Sequence, residues 1–177
     1  VRCGLETVVK VEPREGEHYR NVGAVVPGEG KRFQSLNRGK RAIAVDLKDQ
    51  RGREIIYRLV PGFDVVLHNM RPGVTERLGI DYPVLSKLHP GLVYCEISAY
   101  GVDGPRGQDP ATDGAMTAYT GLMSVIGKSD SDGTPQYTRP PIVDYATGLT
   151  SAMAIASALY HRERSGKGQM IQASMLR

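Results

Sequence analysis

At 177 residues the chain is long enough for one domain with a sizeable buried core, and its 40% hydrophobic and 24% charged residues are the balance of an ordinary globular protein. A formal charge of +4, no tryptophan and two phenylalanines argue against nucleic-acid binding, though a small anionic ligand remains compatible. Two cysteines, Cys3 and Cys95, supply neither a disulfide framework nor a metal-binding pair; no apolar run approaches a membrane span and no signal peptide opens the chain. The expectation is a protein of the reducing cytoplasm with no membrane and no metal. With valine rather than methionine first, the expectation is that the natural start is missing from this sequence.

Taken in chain order, residues 8–12, 42–46, 65–69 and 92–98 are short β-branched runs of strand length, and their near-continuous apolar character predicts burial on both faces. Residues 13–41, rich in Gly, Arg, Lys and Glu without clear periodicity, read as a long loop of the kind that is functional or mobile. Over 49–60 the residues Ile55, Ile56, Leu59 and Val60 share a helical face, and Pro61-Gly62 stops it. Pro72 suits the first turn of a short helix that Gly79 ends, and Asp81 is placed to cap the next. Residues 101–107 form a turn-rich loop rather than a dinucleotide fingerprint, and the polar stretch 127–141 separates two helical segments. The clearest helix spans 145–164, with Leu149, Ala152, Met153, Ala156, Leu159 and Tyr160 at helical spacing, a cationic end (His161, Arg162, Arg164) and Gly166 as its stop. A last strand is expected over 168–175. Strands alternating with helices in this way predict an α/β fold, a Rossmann-like parallel sheet flanked by helices.

Three places carry residues suited to chemistry. Asp144 immediately precedes the strong helix. It can be an N-cap, or a carboxylate that the helix dipole keeps ionised and that attacks an activated carbonyl. Asn37-Arg38-Gly39-Lys40-Arg41 before the second strand and Lys48 after it are either a solvated basic face or a phosphate site at a strand end. Asn69, Met70 and Arg71 end the third strand and Arg77 follows; they form either a simple turn or a set of charge-assisted phosphate contacts. The histidines His18, His68, His89 and His161 show neither metal-ligand spacing nor a triad pattern.

Read together, residues 8–13, 37–48, 69–79, 121–124, 143–148 and 165–169 resemble, in order and over nearly the whole chain, the class III coenzyme A transferases, a family that also contains α-methylacyl-CoA racemases. The resemblance places the family's catalytic aspartate on Asp144. It places CoA-contacting segments on Val45, Asp46, Leu47 and Lys48 and on Asn69, Met70 and Arg71, with Arg77 beyond. The loop facing the thioester falls on Ala111, Thr112, Asp113 and Gly114.

What the resemblance implies is a single partial large domain over residues 1–177. The family's first strand would lie before Val1, and its further helices, smaller domain and glycine-rich loop beyond Arg177. The same resemblance implies acyl-CoA and a carboxylic acid as substrates, no tightly bound cofactor, and a homo-oligomer. It also implies that the helix at 145–164 presents an apolar surface. The implied reaction is CoA transfer through an aspartyl anhydride. Two alternatives stay open: racemisation of a CoA thioester, which Thr112 weakens because racemases carry histidine there, and a homologue that folds or associates without chemistry.

Overall fold

A computed structural model of the protein describes residues 7–24, 26–126, 129–137 and 140–176; Cys3 lies outside them, as does part of the polar stretch 127–141. The fold is α/β, with parallel strands and flanking helices, as the alternation of patterns predicts. Hydrogen bonding divides the strands into two parallel sheets, and the chain forms two compact units, residues 1–55 and 56–177.

In the first unit β1 (Val9–Glu12) pairs with β2 (Arg41–Ala44), Val11 opposite Ile43. The connection between them, expected to be a loop, contains a 3-10 turn (His18–Arg20) and the helix α1 (Lys31–Asn37). Periodicity missed α1 because charge and hydrogen bonding hold the segment, not an apolar stripe. The buried Glu12 carboxylate accepts bonds from Arg20 Nε (2.6 Å) and Nη2 (2.7 Å), and the Arg20 guanidinium lies 4.1 Å from the Phe33 ring centre. Lys10 pairs with Glu17, and Asn37 Nδ2 donates to Glu17 Oε1 at 3.3 Å. The helix α2 (Gln50–Leu59) follows, with Gly52 on its first turn. A Cβ at Gly52 would sit 1.9 Å from the Asp46 carbonyl oxygen, so only glycine lets the helix start this close to the strand's exit.

The second unit is built on β3 (Val65–His68), β4 (Val93–Ser98) and β5 (Gln169–Ser174), all parallel, with β4 in the centre. The continuous run in β4 is buried on both faces, Val93 and Cys95 at 0% exposure on one and Tyr94 at 1% on the other, whereas β1, β2 and β3, expected to be buried likewise, are partly exposed. At Gly168, just before β5, a Cβ would meet the Leu92 carbonyl oxygen at 2.1 Å; a side chain there would force the edge strand away. Between β3 and β4 lie α3 (Val74–Leu78) and α4 (Tyr82–Leu88). Pro72 stands outside α3 rather than in its first turn, because Gly73, at φ 78°, takes the capping position in a conformation proline cannot adopt. Asp81 occupies the N-cap of α4 without making the capping bond.

Between β4 and β5 come α5 (Asp113–Tyr119), α6 (Leu122–Ile126) and α7 (Ile142–Ser165). The buried residues of α7 are Val143, Thr147, Ser151 and Ala158, small side chains that let it lie close to β4 and β5. Leu149, Met153 and Tyr160, from the periodic apolar set, are exposed at 69%, 70% and 61%. By length and composition α7 is the one helix among the described residues long and apolar enough to cross a membrane, although polar residues interrupt its apolar sequence.

Candidate functional site

Parallel strands bring all their carboxyl ends to one edge of a sheet, and the loops there carry the predicted residues. In the first unit, the exit of β2 is the turn Val45–Lys48. Val45 is buried and its N–H donates to the Glu12 carbonyl at 2.9 Å. Asp46 Oδ1 accepts the Lys48 N–H at 2.9 Å, an Asx turn that exposes the Lys48 side chain. Arg53 Nη1 donates to the Lys48 carbonyl (2.8 Å) and approaches that of Leu47 (3.4 Å), fixing the turn from α2.

In the second unit, the exit of β3 is Asn69-Met70-Arg71. The Met70 N–H donates to His68 Nδ1 at 3.2 Å, so the imidazole of the last strand residue shapes this turn. Burial keeps the His68 pKa below its ordinary value against the opposing pull of Glu76, which favours the neutral ring that can accept this bond. Arg71 and Arg77 are exposed, and neither guanidinium has an ion-pair partner among the described residues.

The exit of β4 leads to the carboxylates. Tyr100, Met116 and Val143 form a small core at this end of the sheet, with Ala111 and Met175 packed against it. Thr112 is the N-cap of α5, its Oγ1 accepting the Ala115 N–H at 3.4 Å, and Gly114 lies beside the Tyr137 ring. Asp113 is 6% exposed. Its Oδ1 accepts the Tyr137 hydroxyl (2.8 Å), and its Oδ2 accepts the backbone N–H of Asp144 (2.9 Å).

Asp144 is not the residue before the helix. Pro141 holds that place, and Asp144 is the third residue of α7 with its side chain exposed. Nor does the dipole hold its pKa down. Desolvation by its surroundings raises it above the ordinary carboxylate value, and the charge of Asp113 raises it further. Such a carboxylate is more basic, and a better nucleophile, than a freely solvated aspartate. An open groove of about 310 Å³ lies on another face of α7, lined by Leu122, Val143, Ala146, Thr147 and Met175, and the Asp144 side chain is not part of its lining.

The structure therefore joins Asp113 to Asp144 directly, groups Asn69, Met70 and Arg71 with Arg77 at the exit of β3, and sets Val45–Lys48 on a turn of the first unit. Sequence reasoning passed over Tyr137 and the turn-shaping role of His68. A His two residues before a turn at a strand end is a usable signal for the latter, whereas nothing local marks Tyr137, whose partner is 24 residues away.

Comparison with known proteins shows the family and the fold. The model of CoA-transferase family III matches residues 7–177. The chain is 38% identical over 172 residues to acetyl-CoA:oxalate CoA-transferase of Acetobacter aceti, covering 97% of this chain and 44% of that protein. It is 37% identical over 171 residues to succinyl-CoA:glutarate CoA-transferase of Mus musculus, covering 96% of this chain and 39% of that protein. The crystal structure of a CaiB/BaiF family protein from Brucella suis superposes with a TM-score of 0.88 at 37% identity, over 96% of this chain and 46% of that one. An α/β fold of parallel sheets with this order of motifs defines the class, and the chain belongs to CoA-transferase family III. It spans less than half the length of these relatives.

Proposed function

We propose that the protein to which this chain belongs transfers coenzyme A between an acyl-CoA thioester and a carboxylic acid, with Asp144 as the nucleophile. The observation that carries the reading is Asp144 itself: an exposed carboxylate of raised basicity in the first turn of α7, its backbone N–H held by the buried Asp113. Attack by its carboxylate oxygen on the thioester carbon expels CoA thiolate and leaves an acyl-aspartyl anhydride. The thiolate then attacks the aspartyl carbonyl, releasing the original acid and giving aspartyl-CoA. The acceptor carboxylate attacks in turn, and a second exchange through the thiolate regenerates Asp144 and the new acyl-CoA. The intermediates need a site that shields them from water and donors for the developing oxyanion.

In the second unit we assign Arg71 and Arg77 to the phosphates of CoA and Asp144 to the acyl carbon; in the first unit Lys48 is a further candidate cation. CoA is a substrate in this reading, with no resident cofactor, and the active protein is a homo-oligomer of the cytoplasm. The relatives named for oxalate and glutarate transfer make dicarboxylic acids the first acceptors to try.

Hydroxylamine trapping tests the intermediate. Incubated with acyl-CoA and hydroxylamine, the protein should acquire a hydroxamate on Asp144, seen by peptide mass spectrometry and only when acyl-CoA is present. Modification elsewhere, or independent of acyl-CoA, defeats the assignment.

A further inference from the structure

The resemblance sets Asp113 in a loop that faces substrate, yet its carboxylate is turned inward and both oxygens are engaged. We propose that Asp113 is a positioning residue for Asp144: its buried carboxylate clamps the first turn of α7 through the Asp144 N–H and ties that turn to the segment carrying Tyr137. The inference deepens the reading of Asp144 as nucleophile and rests on it for its catalytic meaning.

The geometry supports a built clamp rather than a chance contact. Asp113 is the first residue of α5, whose N-cap is satisfied by Thr112, so its carboxylate is not needed to cap its own helix. Thr117 Oγ1, one turn on, donates to the Asp113 carbonyl at 2.7 Å and lies 3.3 Å from Oδ1. Two acceptor oxygens facing a phenol and a backbone amide is the pattern a carboxylate makes and a neutral side chain only half reproduces. Pro141 offers α7 no side-chain cap, so Asp113 supplies from another helix the acceptor that the first turn of α7 lacks.

Charge gives the clamp a second effect. The negative charge of Asp113 adds to desolvation in raising the Asp144 pKa. Among elements packed on α7, β5 (Gln169–Ser174) carries no titratable side chain, and α5 contributes Asp113 and Tyr119. On β4, Cys95 interacts with Ser151, Glu96 with Gln172 and Glu76, and Tyr94 donates to the Ile80 carbonyl. Tyr137, from the segment before α7, faces Asp113 itself.

The test is a carboxyl-carbon NMR titration of Asp144 in the protein and in Asp113→Asn, with Tyr137→Phe as a second variant that leaves the Asp113 charge in place. Asparagine keeps an acceptor oxygen and removes the charge. The Asp144 midpoint should fall in Asp113→Asn, and its amide proton should shift upfield in both variants as the clamp loosens. In exchange assays Asp113→Asn should lower kcat about ten- to a hundredfold with little change in KM for acyl-CoA, the size expected for a misplaced reacting group. The acid limb of its pH profile should move to lower pH. An unchanged Asp144 midpoint and amide shift in Asp113→Asn overturns the proposal; if that variant does not fold, an unchanged amide shift in Tyr137→Phe does so. The titration needs no turnover. An Asp144 that responds to Asp113 in a protein without exchange activity upholds the clamp and defeats the nucleophile reading separately.

Discussion

In the first unit the Glu12 carboxylate is gripped by Arg20, the Arg20 guanidinium lies against Phe33, and Lys10, Glu17 and Asn37 close the network around a two-stranded sheet. In the second unit, β4 lies between two strands with Val93 and Cys95 wholly buried, and the ionisable groups near its carboxyl end, Glu96 and Asp144, are raised in pKa by desolvation first. One region is fastened mainly by charge, the other mainly by burial. The contrast teaches that the same parallel strand–helix pattern can be stabilised by opposite means, with opposite responses to pH and to truncation of side chains.

Leu92→Ala should show the largest effect. Leu92 is 0% exposed at the entry to β4, and its loss leaves a cavity in the packed region costing about 2–5 kcal/mol, read from urea unfolding. Loss below about 1 kcal/mol would mean that burial does not dominate there. Gly52→Ala should cost roughly 1–3 kcal/mol in the first unit, since the new methyl overlaps the Asp46 carbonyl and the turn must move. An unchanged urea midpoint would show that α2 is not seated where described.

The phosphate assignment sharpens the comparison through binding. Replacing Arg71 and Arg77 together by alanine should weaken CoA binding at least about tenfold by calorimetry, from loss of charge-assisted bonds. Lys48→Ala, which removes one flexible point charge, should do less. Equal affinity in the double variant would remove the exit of β3 from the site.

The smallest effect is the pH response, and its sign separates the units. The Arg20 guanidinium holds the Glu12 pKa below the ordinary value of 4.5. Its contribution is therefore present above that value and lost as pH falls through the depressed one. Glu96 and Asp144 are raised, so their contributions are full below the ordinary carboxylate range and fade as pH rises through the raised values. Amide exchange followed from pH 7 to 3, corrected for intrinsic rates, should show protection at Val11 and Ile43 falling before protection at Val93 and Cys95. The reverse order would contradict the account.

The strands were legible in the sequence because β-branched runs of strand length have few alternative uses, and α7 because its periodicity and stop signals agree. The helix α1 was not, because its hydrogen bonds, ion pairs and cation–π contact join residues up to 27 apart and leave no periodic trace. Which face of α7 is buried was also hidden. Its small residues Thr147 and Ser151 turn toward the sheet while Leu149 and Met153 stay exposed, the reverse of a simple reading by hydrophobicity. At the site, family motifs marked Asp144 and Asp113, but their division of labour depends on one hydrogen bond across 31 residues.

The most direct test of the account is the exchange activity of Asp144→Asn. Asparagine preserves the shape of the side chain and leaves the backbone N–H to Asp113 in place. It removes a carboxylate whose ionisation the fold opposes, so the variant should fold without loss of stability at neutral pH. With label in the acid and an acyl-CoA donor, the unmutated protein should move CoA to the acid, and Asp144→Asn should show no transfer above the uncatalysed background. Transfer by Asp144→Asn at the unmutated rate would contradict the central claim and leave Asp144 as an acidic residue in the first turn of α7.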